Sequence, residues 1–256
     1  MRILRYLGKD GAAHYGWTLE GKVGGIEGDP FAAFKRESLE IPLEELKLLP
    51  PVIPTKIICV GRNYAAHAQE HGVEVPEVPL LFLKPPSSLA AAGDTIFLPP
   101  QSQQVEHEAE LAVVIGKRSR WLNPDSAKEA ILGFTIANDV TARDLQRRDG
   151  QWTRGKGFDT FCPLGPWIET EFDPADAVIT CKVNGELRQM GSTRDMVFPV
   201  RQLVAYASSV MTLEPGDVLL TGSPAGVGPL ADGDQLVTSI EGLGELHNPV
   251  RSEEPH

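Results

Sequence analysis

The chain has 256 residues and a formal net charge of −11, with 25 glycines and 21 prolines. This length can bury a substantial core, and the excess of glycine and proline over average usage predicts many tight turns and more strand than helix. The acidic balance disfavours nucleic acid and anionic membranes as main partners, since both recruit dense Lys/Arg surfaces. A small molecule held at a local site is the favoured ligand.

The first fifty residues predict a small antiparallel meander. Short apolar runs alternate with glycine, as is typical of hairpins, in Arg2–Gly8, His14–Glu20 and Gly21–Ile26. The proline cluster Pro50–Pro54 then predicts a boundary. We therefore divide the chain into a small N-terminal β module, residues 1–54, and a larger domain, residues 55–256.

Beyond the proline cluster the sequence predicts mostly strands. They are expected at 56–61, 78–84, the apolar run that follows Glu110, 131–138, 178–185 and 217–222. A short helix stopped by glycine is predicted over 64–72, and two longer helical patterns cover 125–132 and 199–213. Many strands with few helices predict a mixed β architecture in which rolled sheets enclose one site.

The N-terminal residues and the cysteines bear on the compartment. Met1–Asp10 carries charges inside what would have to be the apolar part of a signal peptide, and no later stretch reaches the roughly 18 apolar residues of a membrane span. Three widely spaced cysteines, Cys59, Cys162 and Cys181, match neither a disulfide framework nor a zinc site. We expect reduced, mostly buried thiols in a cytoplasmic protein.

Two glutamates, Glu108 and Glu110, directly precede an apolar strand. Because alternate residues of a strand share a face, both carboxylates should point the same way. Two adjacent anions repel unless a cation separates them, and carboxylate oxygens suit Mg²⁺, Mn²⁺ or Ca²⁺ better than they suit zinc. The pair predicts half of a metal site, although two glutamates in an edge strand are more often a solvated face.

A third carboxylate, Asp139, follows the predicted strand 131–138, and Lys156 lies between two glycines. Functional side chains concentrate where strands give way to loops, and glycines let a backbone approach a ligand closely. Three carboxylates and a divalent cation sum to about one negative charge, which an ammonium would balance. Taken alone, Asp139 would be a turn former and Lys156 a loop lysine.

His67 and Glu70 are three residues apart in a predicted helix and can meet on one face. Such a pair can act as a general base, although a surface contact is its more ordinary role. Further along, Thr221 opens the glycine-rich segment 221–228, whose amides and hydroxyl suit a carboxylate or oxo group. This segment lacks both the P-loop ending and the G-x-G-x-x-G pattern, which disfavours a nucleotide.

Taken together and in this order, these segments resemble the fumarylacetoacetate hydrolase family. The resemblance runs through residues 61–67, 81–86, 107–116, 138–146, 156–166, 183–186 and 221–228. It implies a mixed β (β-rich α+β) fold, a β-sandwich roll with few helices that is preceded here by the small N-terminal β module. It also implies a homodimer.

The resemblance implies a site for Mg²⁺, or for Mn²⁺ or Ca²⁺, formed by Glu108, Glu110 and Asp139. It implies a catalytic lysine at Lys156 and a catalytic dyad of His67 and Glu70 on a mobile lid. Substrate contacts are expected from Arg62, Tyr64, Gln146 and Thr221.

The resemblance further implies an enzyme that acts on 2-oxo or β-diketo (di)carboxylic acids through an enolate. Isomerisation of a compound like 2-hydroxyhepta-2,4-diene-1,7-dioate, or hydrolysis of a C–C bond in an acylpyruvate, is favoured, which suggests a place in aromatic catabolism. Decarboxylation or tautomerisation of oxaloacetate and non-catalytic binding of an oxo acid are the alternatives. A dicarboxylate is preferred because several arginines near the motifs can contact a second carboxylate: Arg62, Arg143, Arg147, Arg148 and Arg154.

Overall fold

Strands dominate the structure, a computed structural model that describes residues 1–70 and 72–254. The strands of these residues are β1 Arg2–Leu7, β2 Ala13–Leu19, β3 Lys22–Gly28, β4 Phe34–Arg36, β5 Ile41–Pro42, β6 Lys47–Leu49, β7 Ile57–Gly61, β8 Leu80–Lys84, β9 Leu89–Ala90, β10 Ile96–Leu98, β11 Val105–His107, β12 Ala109–Ile115, β13 Ile131–Asn138, β14 Thr141–Ala142, β15 Cys162–Glu169, β16 Val178–Val183, β17 Glu186–Ser192, β18 Val218–Leu220, β19 Gly228–Pro229, β20 Gln235–Ile240 and β21 Gly244–Ser252. The α-helices are α1 Ala65–Glu70, α2 Arg143–Asp149, α3 Thr153–Lys156 and α4 Val200–Val210.

The described strands form three sheets. The large sheet has the order β4-β3-β2-β1-β15-β13-β12-β18-β7-β8, with β5, β6 and β9 paired beside this path. A second sheet has the order β10-β21-β20-β16-β17, and a small third sheet has the order β14-β11-β19. The predicted mixed β fold with few helices is confirmed.

Strand β12 lies in the middle of the large sheet, and all of its residues are buried. Its alternate residues pack into two different hydrophobic clusters, Leu111 and Val113 into one and Ala112 and Val114 into the other. Burial on both faces explains why this strand is continuously apolar in sequence. Glu110 lies on the same face of β12 as Ala112 and Val114. Its carboxylate is therefore at the end of a row of apolar side chains.

The N-terminal meander forms as predicted, since β1, β2 and β3 pair as antiparallel neighbours. β1 also pairs with β15, with Ile3 opposite Ile168, so the meander extends the large sheet. Ile3 packs in the same buried cluster as Ile57 and Leu164. The division of the chain at residue 54 stays a prediction.

One predicted helix is wrong. Residues 125–132 form only a 3₁₀ turn, Ala127–Ala130, before β13 begins at Ile131. The carbonyl of Ala130, which a continuing α-helix would use internally, accepts the backbone N–H of Gly116 at 2.6 Å. The apolar run after Ala130 pairs with β12 instead. Pairing within the sheet therefore outweighs the local helical pattern.

The other predicted helices form with shorter bounds. α1 lies inside the predicted 64–72 and α4 inside the predicted 199–213. His71, which the first prediction includes, lies outside the described residues. The sequence did not predict α2 or α3, which carry Arg143 and Lys156.

The three cysteines are buried free thiols, as expected. Burial raises the pKa of Cys162 to about 12, so this thiol stays protonated at neutral pH. None of the helices in residues 1–70 and 72–254 combines the length and apolar composition of a membrane-spanning helix. The cytoplasmic location and the homodimer stay predictions.

Candidate functional site

Three carboxylates meet at one edge of the large sheet. Glu108 lies between β11 and β12, Glu110 is the second residue of β12, and Asp139 directly follows β13. Because β12 and β13 pair antiparallel, with Ala109 opposite Asn138, the start of one strand lies beside the end of the other. The three side chains are buried, and one oxygen from each lies within 4.8 Å of the others. The structure therefore brings the three predicted metal ligands together.

Backbone hydrogen bonds fix the two chain segments beside these ligands. The N–H of Glu108 donates to Oδ1 of Asn138 at 2.9 Å. The N–H of Asp139 donates to the carbonyl of Glu108 at 2.8 Å. Asn138 thus bridges the break between β11 and β12, and its Nδ2 donates onward to Thr238 Oγ1 at 3.1 Å.

Three buried cations contact the carboxylates. Lys156 Nζ donates to Glu108 Oε2 at 2.9 Å and to Asp139 Oδ2 at 2.6 Å. Lys84 Nζ donates to Asp139 Oδ1 at 2.7 Å. Arg143 donates to Glu108 Oε1 through Nη2. Lys156 is therefore placed as predicted, against two of the three candidate ligands.

Arg143 also connects the site to a fourth buried carboxylate. Its Nε donates to Glu106 Oε2 at 2.6 Å, and its Nη1 donates to Gln146 Oε1 at 2.7 Å. Three of its N–H groups are thus bound to protein groups, and its charge is paired with two carboxylates of the protein, although it also lines the cavity. It orients Gln146, a predicted substrate contact.

Glu110 differs from the other carboxylates. Among the described residues its carboxylate accepts one hydrogen bond, from the N–H of Gly222 at 2.6 Å, and forms no ion pair. Burial, together with repulsion from Asp139 and Glu108, raises its pKa well above the usual range. A positive charge is therefore missing beside Glu110.

A count of buried charge leads to the same conclusion. At this site, the described residues include four buried carboxylates and three buried cations, namely Glu106, Glu108, Glu110 and Asp139 against Lys84, Lys156 and Arg143. Carboxylate oxygens are the ligands that hard divalent cations prefer, and an oxygen that accepts one hydrogen bond still has a second lone pair. The residues present therefore fit a divalent cation.

The protonation states of the two central groups follow from their neighbours. Burial alone would raise the pKa of Glu108, but the charges of Lys156 and Arg143 outweigh it and hold that pKa well below the usual range. Burial would lower the pKa of Lys156, but Asp139 and Glu108 outweigh it and raise that pKa. Lys156 is therefore a fixed positive charge and not a proton acceptor.

A cavity of about 370 Å³ opens on the three carboxylates. Its other lining residues include Val60, Gly61, Arg62, His67, Phe82, Gln146, Arg147, Trp152 and Ser223. Phe82 and Trp152 pack edge to face with ring centroids 5.1 Å apart. A Cβ added to Gly61 would lie 2.9 Å from the Trp152 ring, so glycine is needed beside this wall. The cavity has a volume typical of small-molecule sites.

His67 of the predicted pair on α1 lines this cavity, and Glu70 lies beside it. Nδ1 of His67 lies 3.5 Å from Oε2 of Glu70, and His67 is buried while Glu70 is exposed. Both carboxylate oxygens of Glu70 accept the N–H of Gly226 at 3.2 Å. Burial lowers the pKa of His67, and the charge of Glu108 only partly offsets this. The imidazole is therefore neutral at neutral pH and able to accept a proton.

The four predicted substrate contacts divide into two groups. Arg62, whose φ of 60° is left-handed, and Gln146 line the cavity. Tyr64 is packed in a hydrophobic cluster instead. The Thr221 hydroxyl donates to the carbonyl of Leu111 at 2.9 Å. The structure does not bring Tyr64 or Thr221 into the cavity lining, and the glycine-rich segment uses the Gly222 amide to bind a carboxylate of the protein itself.

The arginines near the motifs differ in whether they line the cavity and in whether they have an ion-pair partner. Arg62 and Arg147 line the cavity, and neither has an ion-pair partner among the described residues. Arg154 is occupied by Asp149, with Nε donating to Oδ2 at 2.7 Å. Arg62 and Arg147 are thus the two guanidinium groups that remain available to a bound anion.

Sequence reasoning missed two charged residues of the site, Lys84 and Glu106. Lys84 ends a strand that the apolar run 78–84 predicts, and a lysine is almost never buried in a strand without a partner. Glu106 lies two residues before Glu108 and pairs with Arg143. A lysine at the end of an apolar strand therefore indicated a buried ion pair. The sequence could not identify its partner, Asp139, which lies 55 residues away.

Comparisons with known proteins agree with this geometry. A family profile described as fumarylacetoacetate (FAA) hydrolase C-terminal matches residues 56–251, and one described as Rv2993c-like, N-terminal matches residues 1–51. The crystal structure of 2-hydroxyhepta-2,4-diene-1,7-dioate isomerase from Mycobacterium marinum is 42% identical, with a TM-score of 0.91 over 100% of both chains.

Two further similar proteins are an isomerase and a tautomerase. A 5-carboxymethyl-2-hydroxymuconate delta-isomerase from Mycobacterium smegmatis is 44% identical, with a TM-score of 0.91 over 99% of this chain and 100% of its own. The mitochondrial oxaloacetate tautomerase Fahd2a from Rattus norvegicus is 47% identical over 222 residues, which cover 82% of this chain and 71% of its own.

The raised pKa of Glu110 predicts that a divalent cation stabilises the folded protein more as the pH rises. Below that pKa the carboxyl is protonated in the folded state and a cation must displace the proton. Above it, the unprotonated carboxylate repels Asp139 and Glu108, and a bound cation removes this repulsion. The test is to measure the melting temperature with and without MgCl₂ at several pH values above the ordinary pKa of glutamate. The rise caused by MgCl₂ should grow with pH.

Glu110→Gln is the control for this prediction. The amide cannot ionise, so the variant should lose the pH-dependent response to Mg²⁺. A rise in melting temperature on adding Mg²⁺ that is equal at all pH values, or that persists in Glu110→Gln, would contradict the assignment.

Proposed function

The chain belongs to the fumarylacetoacetate hydrolase family, and we propose that it is a divalent-metal-dependent enzyme. As an isomerase or tautomerase, it would move a proton within a 2-oxo dicarboxylic acid. The observation that carries this proposal is the cluster of Glu108, Glu110 and Asp139, which is short of one positive charge and lies in the same cavity as a neutral His67. The similar proteins described above are named for isomerisation or tautomerisation of acids with at least two carboxylates.

Glu108, Glu110 and Asp139 would hold the cation. When bound, Mg²⁺ or Mn²⁺ would supply positive charge that polarises the 2-oxo group of a substrate and lowers the energy of an enolate. Lys156 adds a fixed positive charge on the same side of the cavity, since its ammonium already contacts two of these carboxylates. An enolate oxygen beside it would be stabilised by charge in a buried setting.

His67 is the proton carrier in this proposal. Its neutral imidazole takes a proton from the carbon next to the 2-oxo group, and the electron pair of that C–H bond forms the enolate. The imidazolium then returns the proton to the enolate oxygen, giving the enol, or to a carbon further along a conjugated chain, which moves the double bond. Glu70, 3.5 Å from His67, orients the ring and stabilises its positive charge.

The cavity walls favour a dicarboxylate with a short unsaturated chain. Arg62 and Arg147 are free of protein ion pairs in the described part of the chain and can bind the second carboxylate. Phe82 and Trp152 offer an apolar wall for the carbons between the two carboxylates.

Hydrolysis of the C–C bond of an acylpyruvate is the second candidate. The same neutral His67 paired with Glu70 can remove a proton from water as well as from carbon, and the water would then attack the distal carbonyl. The two reactions share the enolate and differ in whether a C–C bond breaks. The nature of the products therefore distinguishes them.

A turnover panel tests the proposal. Protein stripped with EDTA and reloaded with MgCl₂ is incubated with oxaloacetate enol, 2-hydroxyhepta-2,4-diene-1,7-dioate and acetylpyruvate. These substrates run the proton transfer in reverse, from the enol oxygen through His67 to a carbon. We expect Mg²⁺-dependent loss of the enol or dienol absorbance without fragments. Pyruvate released from acetylpyruvate would identify the hydrolase instead, and full turnover in the EDTA-treated protein would refute the metal dependence.

Replacing His67 by alanine should lower turnover by about 10²-fold or more, which is the usual effect of losing a positioned acid–base group. The initial rate at saturating substrate is the measurement. His247→Ala is the matched control, because the side chain of this histidine is 61% exposed and, among the described residues, pairs only with Glu245. Equal loss of activity in both variants, or unchanged turnover in His67→Ala, would remove His67 from the proton transfer.

Arg147→Met should raise KM for a dicarboxylate by about tenfold, since hydrogen bonds to charged groups contribute about 1.5–3 kcal/mol. The change for a 2-oxo monocarboxylate should be small, because it has no second carboxylate to lose. Arg148→Met is the neighbouring control, as Arg148 is exposed and does not line the cavity among the residues described. Equal effects on both substrates would rule out recognition of a second carboxylate by Arg147.

A further inference from the structure

Gln189, in β17 of the second sheet, is fully buried and uses every hydrogen-bonding position of its amide. Its Oε1 accepts hydrogen bonds from His107 Nδ1 at 2.8 Å and from the N–H of Ala109 at 3.0 Å. Its Nε2 donates to Ser223 Oγ and to the carbonyl of Pro224, both at 2.8 Å. This side chain therefore joins the segment of His107 and Ala109 to the segment of Ser223 and Pro224.

The orientation of this amide is fixed by its partners. The backbone N–H of Ala109 can only donate, and the carbonyl of Pro224 can only accept. The amide oxygen must therefore face Ala109 and the amide nitrogen must face Pro224. An apolar side chain of the same length cannot replace either half of this contact.

The two joined segments are the ones that position the glutamate pair. His107 and Ala109 are the chain neighbours of Glu108. The segment 222–226, which we call the glycine turn, donates its Gly222 N–H to Glu110 at 2.6 Å. Ser223 in the same turn lines the cavity and donates to the carbonyl of Ala109 at 3.0 Å. The relative positions of Glu108 and Glu110 thus depend on how the glycine turn sits against residues 107–109.

Backbone packing independently seats the glycine turn on β17. A Cβ added to Gly191 would lie 2.6 Å from Pro224 Cβ, and a Cβ added to Gly226 would lie 2.3 Å from the carbonyl oxygen of Arg188. Glycines at both points allow the turn to lie directly on the strand that carries Gln189. The second sheet therefore supports the glycine turn, and the Gly222 amide of that turn binds Glu110, a candidate metal ligand in the large sheet.

We propose that Gln189 is a positioning residue that sets the affinity of the carboxylate cluster for a divalent cation. It acts by holding residues 107–109 and the glycine turn at a fixed separation, which keeps Glu108 and Glu110 at the spacing that a shared cation requires. This inference rests on the proposed function, in which that cluster binds the cation. Loss of a partner outside the ligands typically weakens metal affinity by about 10- to 100-fold.

The first variant to test is Gln189→Met, which keeps the length of the side chain and removes all four hydrogen bonds. Binding of Mn²⁺ to the EDTA-stripped protein is measured by electron paramagnetic resonance of free Mn²⁺, well below the melting temperature. We expect a dissociation constant about 10- to 100-fold higher than in the wild type. The readout does not require turnover.

Asn248→Leu is the matched control for lost buried hydrogen bonds. The Asn248 amide is buried and donates to the carbonyls of Ala91 and Asp94, at 2.9 and 2.8 Å, in a part of β21 that does not line the cavity. This variant loses an equally buried amide, and its Mn²⁺ affinity should equal that of the wild type. A general loss of stability would affect both variants alike.

Gly191→Ala provides a second route if Gln189→Met does not fold. It retains Gln189 but pushes Pro224, and with it the glycine turn, away from β17. Its Mn²⁺ affinity should fall as well. Binding by Gln189→Met and Gly191→Ala within twofold of Asn248→Leu would overturn the role of Gln189. Absence of Mn²⁺ binding by the wild type, or unchanged binding by Glu110→Gln, would instead refute the cation site on which the inference rests.

Discussion

Four buried carboxylates share three buried cations at the edge of the large sheet, and this deficit of one positive charge governs the chemistry of the site. Burying an unpaired carboxylate is costly, so the fold surrounds Glu106, Glu108 and Asp139 with Lys84, Lys156 and Arg143. Glu110 alone has a backbone amide as its partner among the described residues. A divalent cation would turn this deficit into an excess of one positive charge, which an anionic substrate would balance.

The architecture supplies these charges from elements that are far apart in the chain. The carboxylates come from the paired ends of β12 and β13, Lys84 from the edge strand β8, and Arg143 and Lys156 from the short helices α2 and α3. These charged side chains all lie at the end of β12, beside the apolar core. The low dielectric constant of the core strengthens the interactions between their charges. In the proposed function the cavity also contains a base, His67 on α1, and Glu70 of the same helix accepts the N–H of Gly226 in the glycine turn.

Gln189 adds a second layer to this arrangement. Glu110 lies in the large sheet, and Glu108 and Asp139 directly adjoin its strands β12 and β13. The Gln189 amide, which joins residues 107–109 to the glycine turn, belongs to the second of the three described sheets. In the proposed function, therefore, the packing of the two sheets contributes to cation binding even though the second sheet supplies no ligand. A family fold of this kind can keep its ligands and still change its affinity through residues outside the cavity.

Local sequence patterns predicted the short-range features of this protein. Alternation before an apolar strand made Glu108 and Glu110 candidates, as a strand end did for Asp139, flanking glycines for Lys156, and helical spacing for His67 with Glu70, and the resemblance of the combined motifs to a family gave these residues their predicted roles. The three strands of the N-terminal meander and six later strands followed from the same short-range periodicity, whereas twelve of the 21 described strands, among them β15, β17, β20 and β21, were not predicted. These features are readable because backbone geometry links residues that are a few positions apart.

The partners of those groups, in contrast, depend on contacts between distant parts of the chain. The tertiary structure replaced the predicted helix at 125–132 by a turn, because Ala130 bonds to Gly116 and the next residues pair with β12. It assigned Arg143 to Glu106 and Glu108, left Arg62 and Arg147 for a ligand, and gave the anion-binding role to the Gly222 amide, with Thr221 bonded elsewhere. Hydrogen bonds such as that of Gln189 to Ala109 join residues 80 positions apart, and no local spacing encodes such pairs. They exist because folding brings distant polar groups into a low-dielectric interior, where each must find a partner.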